Sequence, residues 1–230
     1  MSTNAAESMS QKSSNSSAGP NFNDMIAVAK SITLDPVGTW PKIKARTESI
    51  PDIYKNYLIY LAAIPAVCGL IGELVVGINI PFYGTYRPPF FSAVTTAVVM
   101  YAFALAVVYV AAMIIELLAP KFGGNASRTD GFKLMAYSAT PAYLAGVFKL
   151  IPMLMILTLI AGLYGLSVYH KGITAMGAAP EDKRTSFFFV SMGCFMLAGI
   201  VLMTIFAAVT PAPPVPDVMK TIEHLGQAMH

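Results

Sequence analysis

Charge is scarce in this 230-residue chain: Asp, Glu, Lys and Arg make up 12% of it against 56% hydrophobic residues, and the mean hydropathy is +0.62. That balance excludes an ordinary soluble domain, and because the apolar residues fall in long runs the expected class is a polytopic membrane protein. The formal net charge is only +3. Basic residues never cluster with aromatics, which excludes a nucleic-acid footprint and leaves the lipid bilayer as the partner that composition names. Two cysteines, Cys68 and Cys194, sit inside apolar runs, so no disulfide framework is expected. The three histidines, His170, His224 and His230, have no His-x-x-His or Cys-x-x-Cys spacing around them, and neither a metal site nor another cofactor is expected. A copper(I) set of Met219, His224, Met229 and His230 is the alternative, but fourteen methionines spread through apolar runs are better explained by packing. Phosphate-cradling glycine loops, nucleophile elbows and paired carboxylates are missing too, which argues against an enzyme.

What is present falls into four segments. Residues 1–20, rich in Ser, Asn and Ala, read as a disordered tail without the apolar core of a secretory signal, so the first span is expected to act as its own insertion signal. Residues 21–56 form a cytoplasmic, pre-membrane segment. In it Phe22, Met25, Ile26 and Ala29 recur at helical spacing, predicting an amphipathic helix that rests on a membrane, on a partner or on its own bundle. In "LDPVGTW" Asp35 is placed to cap a helix with Pro36 at its first position, while Trp40, Lys42, Lys44 and Arg46 read as an interfacial anchor. Pro41 and Pro51 are expected to keep this segment short.

Residues 57–210 carry five apolar stretches, Tyr57 to Ile80, Phe91 to Leu118, Phe132 to Phe148, Leu150 to Val168 and Phe187 to Val209. The expected fold is therefore all-α, a five-span bundle with short interfacial amphipathic helices at both ends. The third stretch is the short one, roughly 25 Å if helical, and Lys149 follows it at once. Two true crossings, turning tightly at Lys149 to Pro152, are preferred over a re-entrant hairpin. With the N-terminus inside, only Arg87, Lys149 and Lys220 lie outside, leaving twelve of the fifteen basic residues on the cytoplasmic side. Residues 211–230 open with "PAPPVP", a stiff stalk, and continue as an outer helix whose stripe of Val218, Ile222, Leu225 and Met229 suits the bilayer, the bundle or a partner.

The order of these features, "DPVGTW", then five spans, with "YSATP" opening the third and "GLYGLSVYHKG" closing the fourth before "APEDKR", resembles the Yip family of Ypt/Rab-interacting membrane proteins, and most of all its bacterial branch. The resemblance implies five spans and a cytoplasmic N-terminus, and places this protein in a bacterial inner membrane. The family's Gly-Tyr-Ser motif corresponds to Ala136, Tyr137 and Ser138, followed by Pro141, with alanine in place of glycine. Its Asp-Leu-Tyr-Gly-Pro motif has only Asp52 and Tyr54 of "DIYKN" to answer it. Eukaryotic members are associated with Rab-type GTPases, but GTPase binding is not carried over to this chain.

Two acids lie within apolar runs. Glu116, two residues from the cytoplasmic end of its span, reads as an interfacial acid facing water or Lys121. Glu73 is placed about 10 Å below the outer end of the first span, beside Pro65, Gly69, Gly72 and Gly77, within reach of Lys149. The Glu73 and Lys149 pair is either structural or functional. Small residues such as Ala62, Ala66 and Gly69 suit close helix packing, with homo-oligomerisation as a lesser use. The expected role is a non-enzymatic adaptor or accessory subunit organising membrane-protein or lipid partners, and the alternative is a small transporter or channel using Glu73.

Overall fold

The computed structural model describes residues 21–80, 84–151 and 154–209, with side chains at 78–84, 155 and 206–209 left aside. The expected disordered tail, the Pro-rich stalk and the stripe of Val218, Ile222, Leu225 and Met229 lie outside the described residues. Helix α1 (Phe22–Leu34) is capped by Asn21, and α2 (Pro36–Ala45) by Asp35, whose carboxylate accepts from the Gly38 N–H at 3.0 Å. Pro36 opens α2 as expected. Pro41 is tolerated inside it.

Among the described residues four helices are long and apolar enough to cross a membrane, spanning Ile50–Val75, Phe90–Phe122, Ile156–Ala175 and Glu181–Ile205. The first, α3 (Ile50–Val75), begins seven residues earlier than the sequence reading because Ser49 and Asp52 form a capping box, and Pro51 sits in the first turn, where its missing N–H costs nothing. It stops at Val75 rather than Ile80: Gly77, at φ 87°, turns the chain into a short antiparallel hairpin, β1 (Ile78–Ile80) with β2 (Gly84–Tyr86). A π turn at Tyr54–Leu58 interrupts α3 and aims Tyr54 at the Leu105 carbonyl (2.8 Å) and Tyr57 at Thr140 (2.7 Å). Helix α4 (Phe90–Leu118) follows its expected limits closely.

The third stretch departs most from expectation. It is no single helix but α5 (Arg128–Ser138), α6 (Thr140–Leu144) and a 3₁₀ segment at Ala145–Leu150. Its break falls at Ala139 to Pro141, where the proline lacks the N–H that would continue the ladder. This broken element runs along α3: Phe132 stacks on Tyr54 (ring centroids 4.8 Å apart), Tyr137 on Tyr57 (4.5 Å), and the far end lies at Gly72. Those contacts cover about 27 Å of α3. The approach is so close that a side-chain carbon at Gly146 would stand 2.6 Å from the Pro65 ring, and one at Gly72 would run into the Lys149 carbonyl.

Helix α7 (Met155–Ala175) lies several residues further along the chain than the expected Leu150 to Val168, because "YHKGITA" stays helical and buries Tyr169 and Ile173 in the core. Helix α8 (Arg184–Val209) agrees with its stretch. The main core gathers at one end of the bundle, around Trp40, Phe132, Tyr137, Tyr169 and Phe187. At the other end Leu159, Ile160, Met196 and Ile200 remain exposed, the signature of surface meant for lipid or another helix.

Candidate functional site

Two places bring the sequence-predicted residues together. The first is a polar clasp over the well-packed end. Trp40, expected at the lipid interface, is instead fully enclosed by protein: its indole N–H donates to the Val168 carbonyl of α7 at 3.1 Å. Its ring fills the space left by Gly172, where a side-chain carbon would stand 2.5 Å from it. Lys44 pairs with Asp130 at 2.7 Å and donates to the Met176 carbonyl. Arg46 grips both carboxylate oxygens of Asp24 (2.9 and 2.7 Å) and one of Glu48. Lys42 is exposed. Three of the four anchor residues thus tie the segment to α1, α5 and α7, because each has a carbonyl or carboxylate within reach.

Of the family-motif positions, Tyr137 reaches the same clasp. Tyr137, buried, donates to Glu48 at 3.0 Å, and Ser138 is buried with its hydroxyl unpartnered. Pro141 is buried at the break in the third element. Lys133 is the residue that the sequence reading missed. Only 3% exposed, it donates to the carbonyls of Ile43 and Arg46 at the negative end of α2. A lysine inside "GFKLMAY" carries that signal, but it had been counted only as topology-setting charge. Glu116 pairs with Arg128 (2.7 Å) rather than Lys121, because the capped start of α5 returns Arg128 to the end of α4.

The electrostatics of the clasp favour its closed state. Hydrogen bonding to Arg46 holds the Asp24 carboxyl below its ordinary 3.8 against the opposing effect of burial. Burial pushes Asp130 up, yet Lys44 and Ser127 outweigh it and leave that carboxyl lowered as well.

The second place is a cavity of about 520 Å³ between α3, α4 and the broken element, with Glu73 and Lys149 both on its lining. Beneath them it is apolar, walled by Ala62, Ala66, Leu70 and Ala97 among others. The Lys149 stem lies 3.6 Å from where a side-chain carbon on Gly69 would stand, one turn before Glu73 on the same helix face. Among the described residues no ion pair within 4 Å joins Glu73 to Lys149. With α3 ending at Val75, Glu73 is two residues from its end, about 3 Å of rise, and not the 10 Å expected. Cys68 and Cys194 are free thiols, and the described residues hold no group of three His, Cys, Asp or Glu side chains able to bind a metal.

Four long apolar helices around a broken central element define a polytopic α-helical membrane protein. The Yip1 domain family model matches residues 30–205, and the chain belongs to that family. It is similar to the inner membrane protein YohC of Escherichia coli strain K12, with 25% identity over 171 residues covering 73% of this chain and 86% of that one. The YohC protein of E. coli strain O6:H1 matches to the same extent. No solved structure matches it.

Proposed function

We propose that this protein is a non-enzymatic adaptor or accessory subunit of a bacterial inner membrane, crossing five times with the N-terminus in the cytoplasm and the C-terminus opposite. Support for the fifth crossing comes from the broken element, whose contacts accompany α3 over about 27 Å, most of a hydrocarbon core of about 30 Å. The distribution of basic residues supports the orientation, and similarity to the inner membrane protein YohC supports the compartment.

The observation that carries the adaptor role is the way α8 is held. Its cytoplasmic end is fixed by buried Phe187 and by Ser191 bonded to Tyr169 at 2.9 Å, while from Met196 (66% exposed) to Ile205 (56%) its apolar surface is largely uncovered. An apolar groove separates this part of α8 from Phe103 and Val107 of α4. A helix anchored at one end, with its Phe195 and Leu202 face against α4 and its Met196 to Ile205 face exposed, offers a seat to a membrane-protein partner or a second copy. Native mass spectrometry of protein released mildly from its own membrane, without overexpression, tests the role: a stoichiometric protein companion is expected, and release with lipid alone counts against it.

The cavity holding Glu73 and Lys149 favours a second reading, a small transporter or channel. Glu73→Gln separates the two: flux through reconstituted protein that the variant abolishes is expected of the transporter alone.

A further inference from the structure

Glu73 stands two residues from the end of α3, and that changes what the cavity suits. From Glu73 the lining descends along α3 to Ala62, eleven residues or about 16 Å, close to half of a hydrocarbon core of about 30 Å. One carboxylate and one ammonium stand on its lining, with no ion pair within 4 Å between them among the described residues, and an apolar slot about one leaflet deep lies beneath. We propose that this cavity binds a single outer-leaflet phospholipid with a zwitterionic primary-amine headgroup, phosphatidylethanolamine. The lipid ammonium donates to the Glu73 carboxylate, Lys149 donates to the phosphate, and one acyl chain fills the slot past Leu70 and Ala66.

Charge complementarity selects this occupant. A glycerol headgroup satisfies Lys149 through its phosphate but brings no positive charge to Glu73, which is half-buried. A quaternary amine brings charge but no N–H to donate. A primary-amine headgroup answers both protein charges with hydrogen bonds, its ammonium at Glu73 and its phosphate at Lys149. Close approach of Lys149 to Gly69 fixes the stem of the lysine against α3, so the two charged groups share one rim. The site extends the lipid side of the adaptor reading and rests on it in taking α3 to cross the membrane with its Val75 end at the outer face.

The test uses the full chain in vesicles of phosphatidylethanolamine and phosphatidylglycerol in equal parts. Each contains a trace of a photoactivatable, acyl-chain diazirine probe carrying one headgroup or the other. Labelling by the ethanolamine probe is expected to map to peptides containing Ala66 and Ala97, and to exceed the glycerol probe roughly tenfold, as one charge-assisted hydrogen bond allows. Glu73→Gln should bring the two probes level, Lys149→Gln should weaken both, and Ala66→Phe should abolish labelling by filling the slot. Ala97→Leu serves the same purpose should the first filled variant fail to fold. Equal labelling of the wild type by both probes, or labelling that survives filled slots in folded protein, overturns the site. Native mass spectra of the same variants keep the two readings apart, since a lost headgroup preference with the protein companion retained removes the lipid site and leaves the adaptor standing.

Discussion

Trp40 is the only tryptophan in the chain, which makes the clasp open to direct measurement. The sequence suggests a ring at the lipid interface, whereas the structure encloses it against Gly172 and Leu134 and bonds it to Val168. Its fluorescence should therefore be blue-shifted and little affected by brominated lipids in the bilayer or by acrylamide in the water. Truncation tests the energetics. A tryptophan buries up to about 250 Å², worth about 6 kcal/mol at 25 cal/mol per Å² as an upper bound, and core Trp→Ala changes cost about 3–5 kcal/mol. The lower end applies here, because a released segment would still find the membrane surface. Trp40→Phe retains most of the area and loses mainly the hydrogen bond, about 1 kcal/mol. Limited trypsin cleavage at Lys42, Lys44 or Arg46 reports the opened population, which should rise at least a hundredfold in Trp40→Ala and about fivefold in Trp40→Phe. Strong quenching of the wild type by brominated lipid, or unchanged cleavage of Trp40→Ala, would refute the enclosed clasp.

Acid should loosen the same segment. The native Asp24 carboxyl lies below its ordinary value of 3.8, so its contribution to docking is complete above that value and fades as pH falls through the lowered one; Asp24→Asn should show reduced protection near neutral pH and a flatter acid response in the same trypsin assay. Because that carboxylate is half exposed, the loss should stay near 1 kcal/mol or less. Gly146→Val should cost about 1–3 kcal/mol by driving the 3₁₀ segment off Pro65, read as a lower thermal midpoint in detergent, and an unchanged midpoint would contradict the close contact. Lys149→Cys in a background lacking Cys68 and Cys194 should react with an impermeant maleimide only from the outer face; reaction only from the cytoplasm would replace the fifth crossing with a re-entrant hairpin.

Much of the architecture was legible because it depends on local chemistry. Length and apolarity marked Phe90–Leu118 and Arg184–Val209 well, and Asp35 followed by Pro36 marked the start of α2. Errors fell where tertiary contacts overrule composition. "YHKGITA" looks like an exit from the membrane, but its helix continues because Tyr169 and Ile173 have protein to pack against. Pro51 looks like a breaker until Ser49 is seen to cap the helix that contains it. Trp40, Lys44 and Arg46 have the composition of an interfacial belt, but the return of α5 and α7 to the same end occupies Trp40 and Lys44, while Asp24 of α1 and Glu48 occupy Arg46.

The misplaced end of the first span matters most for function. Reading apolar residues through to Ile80 buried Glu73 by about 10 Å and made it resemble an ion-pathway acid. A left-handed Gly77 and the hairpin after it move the same carboxylate to within one turn of the helix end. So near the helix end a charge needs no pathway to justify it, but it does need a reason to face an apolar slot beside a lysine. The two accounts make opposite demands on Glu73→Gln. A pathway loses its flux whatever lipid surrounds it, whereas a lipid site loses only its preference between headgroups, and the protein should remain folded and inserted in both cases.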